Sequence, residues 1–182
     1  MPREAVLRRE LEAYHGVVDA KALEAAWPHL SSNDRFLRHA ARVAIESQPV
    51  SGWAQRVASE PNSQARIAAT VALARRGRAE HQPALLAGLA KLDFQTLPLS
   101  QQLDLLRALS LTLERLGKPT DAARAQWIAN LESILPNRDA SINLEAIKLL
   151  VYLDSPLAVI NGMQLIVDRS PPRLLRGKGS KR

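Results

Sequence analysis

The 182-residue sequence contains no cysteine. This excludes disulfide frameworks, thiolate metal sites, iron–sulfur clusters, thiol nucleophiles and covalent attachment of c-type haem. Aromatic residues are few, at 4%. Val and Ile together number 18, so the residue types that favour pleated strands are scarce. No long uninterrupted hydrophobic run is present. The N-terminus, Met1-Pro2-Arg3-Glu4, is charged and lacks the apolar segment of a secretory signal. The most apolar stretch, about 146–167, is broken by Lys148, Asp154 and Pro156 and is not expected to span a bilayer as one helix. A cytoplasmic location is the default expectation, and an exported one follows if the chain is a piece of a larger exported protein.

Catalytic signatures are absent too. There is no Gly-x-Ser-x-Gly and no Gly-x-Gly-x-x-Gly. Gly177-Lys178-Gly179-Ser180 lacks the preceding strand, the spaced glycine and the following helix of a phosphate-binding loop. His15, His29, His39 and His81 have neither His-x-x-x-His nor Glu-x-x-His spacing, whereas zinc needs three or four converging ligands. Carboxylates are scattered singly, and general acid–base chemistry needs two that converge. The expectation is a protein that is not an enzyme and holds no metal or cofactor.

Leucine and alanine dominate the apolar inventory and outnumber all its other members together. Both are strong helix formers, and alanine lets helix backbones approach closely. The reading is all-α. Helical periodicity and punctuation place helices at about 4–14, 19–27, 34–47, 51–59, 64–76, 81–92, 100–116, 120–135, 141–153 and 157–168. Asn33 or Asp34 caps the third. Pro28 is expected to stop the second, and Gly77 suits the residue just past the fifth. Short connections make successive helices antiparallel neighbours.

The chain also repeats itself. Arg38-His39-Ala40-Ala41-Arg42-Val43-Ala44-Ile45 aligns with Arg66-Ile67-Ala68-Ala69-Thr70-Val71-Ala72-Leu73 at an offset of 28, with five of eight positions identical. Ala68–Gly77 aligns more loosely with Ala108–Gly117, sharing Leu73/Leu113, Arg75/Arg115 and the terminal glycine. Ala108–Leu113 in turn resembles Ala146–Val151. A helix pair cannot bury its apolar face alone, so stacked copies form one continuous core.

Paired helices at this variable spacing resemble HEAT-type repeats. Ala26-Trp27-Pro28-His29-Leu30, followed by Asp34-Arg35-Phe36-Leu37-Arg38-His39-Ala40-Ala41-Arg42-Val43-Ala44-Ile45-Glu46, resembles the helical-repeat segment of large bacterial multidomain proteins. There the segment accompanies propeller and c-type haem domains. The resemblance runs through Trp53 to about residue 168. It implies a right-handed α-solenoid (HEAT-like) of about four antiparallel helix pairs over residues 1–168, acting as a spacer or scaffold without catalytic residues. Without Cys-x-x-Cys-His, haem binding does not carry over.

Residues 169–182 hold Arg169, Arg173, Arg176, Lys178, Lys181 and Arg182, no acid, and Pro171-Pro172. They read as a disordered basic tail. Two arginine groups elsewhere are candidate contacts for an anion or a partner. Arg35, Arg38 and Arg42 stand on one helix, bracketed by Asp34 and Glu46, a pattern that equally makes a capping and ion-pair network. Arg75, Arg76 and Arg78 end another, where cations also suit the helix dipole. Trp27, Trp53 and Trp127 occupy apolar helical positions and read as packing between helices rather than a stacking platform for bases. The functional expectation is a scaffold or spacer binding a protein partner or an adjoining domain. The alternative is phosphate-backbone binding to nucleic acid by the two arginine groups and the tail.

Overall fold

A computed structural model describes residues 3–167. Among these residues the regular structure is entirely helical, with ten α-helices: α1 (Arg3–Glu12), α2 (Ala22–Ala26), α3 (Arg35–Glu46), α4 (Ala54–Ser59), α5 (Ser63–Arg76), α6 (Gln82–Ala90), α7 (Leu99–Leu116), α8 (Asp121–Ser133), α9 (Ala140–Tyr152) and α10 (Ala158–Val167). The basic C-terminal segment, 169–182, lies outside the described residues.

Side-chain caps start α3, α5, α8 and α9, satisfying amide donors that have no partner within the helix. The Asp34 carboxylate accepts from Phe36 N at 2.7 Å and Leu37 N at 3.2 Å. Asn62 accepts from Ala65 N at 3.0 Å, Thr120 from Ala123 N at 3.3 Å, and Asp139 from Ser141 N at 2.8 Å. Asp34 and Asn62 occupy equivalent positions in the first repeat alignment. The arginine one helical turn after each cap repeats the same contact. Arg38 Nη1 donates to Ser32 O at 2.6 Å, and Arg66 Nε donates to Glu60 O at 2.7 Å.

Packing follows the apolar periodicity. On α3 the residues Leu37, Ala40, Ala41, Ala44 and Ile45 are buried, one stripe at i, i+3, i+4, i+7 and i+8. On α5 burial extends most of the way round, from Ala65 through Ile67, Ala69, Thr70, Ala72 and Leu73 to Ala74. That pattern suits a helix with neighbours on several sides. The odd-numbered helices pack in succession, α1 on α3, α3 on α5, α5 on α7 and α7 on α9. A second row has α4 on α6 and α6 on α8, and α10 packs on α9.

The second and fifth helices end where expected, and one expected helix divides. α2 ends at Ala26, ahead of Pro28, and the chain tightens there into a 3-10 turn, Trp27–Ser31, with proline in its first turn. Proline's missing amide costs nothing there. This turn packs against both α3 and α5. The helix expected at 51–59 divides into a 3-10 turn, Val50–Gly52, and α4, with Trp53 between them at φ −143°. The fully buried Trp53 indole donates to Gln48 O at 3.4 Å. Gly77 directly follows α5, as its place past the fifth helix predicts, with φ −79°. A Cβ there would sit 2.6 Å from Leu73 O, so close backbone approach is what demands glycine. Positive φ follows other helices, at Gly16 (+74°) after α1, Gly117 (+97°) after α7 and Asp154 (+54°) after α9.

Candidate functional site

A groove of about 430 Å³ runs across α3, α5 and α7. Its α3 bank carries Arg35, Arg38, His39 and Arg42, and its α7 bank carries Asp104 and Arg107. The floor is apolar, formed by Ile67, Ala68 and Val71 of α5 with Leu111 of α7. α5 packs on both α3 and α7, which sets this layout. The repeat alignments put His39, Ile67 and Arg107 at equivalent positions on the three helices.

The arginines of the α3 bank are held in distinct ways. Arg35 stacks over the Phe36 ring with its guanidinium carbon 4.7 Å from the centroid. Arg38 spends Nη1 on the carbonyls of Ser32 and Asn33, the latter at 3.2 Å, and not on Asp34, whose carboxylate is committed to the cap. Arg42 pairs with Glu46 one turn on, and its Nη2 lies 3.1 Å from His39 Nδ1. Burial, and after it the Arg42 guanidinium, holds the His39 imidazole below its ordinary pKa of 6.5. Opposite, Arg107 lies 3.6 Å from Asp104 with 67% of its side chain exposed.

The second arginine group lies apart. Arg75 and Arg76, with Arg115 of α7, Glu46 and Gly16, line a hollow of about 480 Å³ at the C-terminal ends of α3, α5 and α7. Arg75 Nε meets the buried Glu46 carboxylate at 3.1 Å. Glu46 therefore holds Arg42 with one oxygen and Arg75 with the other, fastening α3 to α5. Arg78 lies beyond the end of α5 and is exposed, outside both groove and hollow. The six arginines named from the sequence thus divide between two places joined by one carboxylate. Arg107 was not among them, although extending the looser repeat alignment back by one position pairs it with Ile67.

Trp27, Trp53 and Trp127 are all buried. The Trp27 indole donates to Glu60 Oε2 at 2.6 Å, and Arg56 covers its ring at 4.2 Å. Among the described residues no three His, Cys, Asp or Glu side chains group as metal ligands. No helix among them is long and apolar enough to cross a membrane.

One compositional feature runs through the groove region. Residues 35–78 contain eight arginines, no lysine, and only two acids, Glu46 and Glu60, both buried. Comparison of the chain with protein-family models, with curated proteins and with solved structures found no match.

Proposed function

We propose that the protein is a non-catalytic helical-repeat scaffold, a HEAT-like right-handed α-solenoid of about four antiparallel helix pairs, that binds a protein partner or an adjoining domain. The observation that carries this reading is the recurrence, at the offset of the first repeat alignment, of cap and arginine contact at Asp34/Arg38 and Asn62/Arg66. It occurs on helices that pack in succession. Repeated units stacked side by side present a continuous face, and binding on such a face is by shape.

Site-specific photo-crosslinking in the source cells tests the reading. A photoreactive residue at Gln64, in the groove, should give a discrete protein adduct. One at Ala87, exposed on α6 and outside the groove, should not. Absence of any protein adduct at Gln64 ends the scaffold reading.

The arginine-only basicity of residues 35–78 favours one second reading, binding to a phosphate backbone. Its signature is a mobility shift lost steeply between low and physiological salt. No shift at low salt rejects it.

A further inference from the structure

We infer that the α3–α5–α7 groove receives an acidic, amphipathic segment of a partner protein, with carboxylates on its arginine bank and apolar side chains on its floor. The inference rests on the scaffold reading and adds the chemistry of the occupant. Charge supplies the first argument. Arg35, Arg38, Arg42 and Arg107 line the groove against a single carboxylate, Asp104. Glu46, the partner of Arg42, is shared with Arg75 and so does not neutralise Arg42 alone. Arg38 is held through Nη1 by two carbonyls. Its guanidinium is fixed in place before any ligand arrives, which lowers the ordering cost of pairing with a carboxylate.

The floor supplies the second argument. Ile67, Ala68, Val71 and Leu111 give an incoming chain apolar contact between the two banks. A phosphate backbone has nothing to place there, whereas an acidic segment carrying leucine or a similar residue covers it. The charge map beyond the groove points the same way. Positions 3–34 have four basic and six acidic side chains, and positions 79–167, leaving out Arg107 and Asp104 of the groove, have six basic and eight acidic. A duplex laid along the stack would leave the arginine-rich region for net negative flanks, while a short segment confined to the groove would not.

The test is fluorescence anisotropy on the full chain at about 0.15 M salt, where exposed long-range attraction is largely screened. The probe is a fluorescein-labelled peptide of glutamate and leucine. It should bind, and replacing its leucines by serine or its glutamates by lysine should abolish binding. Arg35→Glu with Arg107→Glu should weaken binding at least about tenfold. Arg76→Glu with Arg78→Glu, outside the groove, should leave it within about twofold. Arg35→Gln with Arg107→Gln, checked for an unchanged melt, guards against a folding defect. The inference is overturned if the peptide does not bind, if the groove variants bind it as the parent does, if the serine-substituted peptide binds equally, or if a DNA duplex binds more tightly than the peptide. Should the peptide fail while the Gln64 protein adduct persists, the scaffold reading stands and the acidic occupant falls.

Discussion

The two cores of the molecule are built from different material. The first, centred on α1 to α5, contains eight buried alanines and two tryptophans beside six leucines. The second, centred on α6 to α10, contains eleven buried leucines and three alanines. In the first, small side chains fill much of the space between helices and polar side chains fasten them. Gln48 donates to Val17 O at 2.9 Å and Ala44 O at 3.1 Å, accepts from Asp19 N at 2.9 Å, and is itself buried. Glu60 and Glu46 make comparable ties. In the second, bulk fills the space between helices and such ties are sparser, among them Tyr152 Oη to Leu113 O at 3.1 Å and Arg124 Nη1 to Leu153 O at 2.8 Å. The lesson is that one helical assembly can hold together by small side chains and polar ties in one region and by volume in another. The two regions should therefore fail under opposite substitutions.

The largest effect should come from emptying the leucine core. Leu109 is fully buried, and Leu109→Ala should cost about 2–5 kcal/mol in chemical denaturation. Filling the alanine core should cost somewhat less. Ala41→Leu and Ala69→Leu, both at positions with no exposed surface, should each lose about 1–3 kcal/mol by overpacking. Equal melting of both variants and the parent would erase the contrast between the cores. Glu60→Ala sharpens it from the polar side. It strips the Trp27 indole and Asn62 N of their acceptor and should cost about 1–3 kcal/mol, with a change in tryptophan emission.

Much of this division is written in the sequence. The alanine pairs at 40–41 and 68–69 and the leucines of 103–116 lie on helices placed within a residue or two of where they form, because caps and glycines mark the ends locally. Side-chain partners are less legible. Asp34 and Arg38 have the spacing of an ion pair, but the carboxylate meets the amides of its own helix start, which turns the guanidinium toward carbonyls. The groove is less legible still. Arg107 joins Arg35 and Arg38 only because α3, α5 and α7 lie side by side, a relation set by packing between segments far apart along the chain. Pro28 and Gly77 mark their helix ends correctly, but the backbone that follows is set by tertiary contact: a tight turn packed on α3 and α5 at Pro28, and a close approach to Leu73 O at Gly77.

Smaller effects probe individual joints. Asp34→Ala and Asn62→Ala should each cost about 1 kcal/mol as lost caps, and similar losses at the two sites would support their equivalence. The least effect should be at His39. Its folded-state pKa lies below the unfolded value, so the folded state resists protonation. Stability is unaffected above the unfolded pKa and declines as pH falls through about 6.5 toward the folded value. An NMR titration should place its midpoint below 6.5, and Arg42→Gln should raise it by removing the neighbouring cation.

The backward reach of Arg38 and Arg66 has an architectural consequence. Each guanidinium grips a carbonyl oxygen in the lead to its own helix, so each corner carries part of its own joinery. The second corner is also tied to its neighbours, because Arg66 Nη1 reaches Gly88 O at 3.1 Å and the Trp27 indole holds Glu60. An engineer moving α3 would keep its arginine before keeping any residue of the surface, and one moving α5 would have to bring Trp27 and the end of α6 along with it.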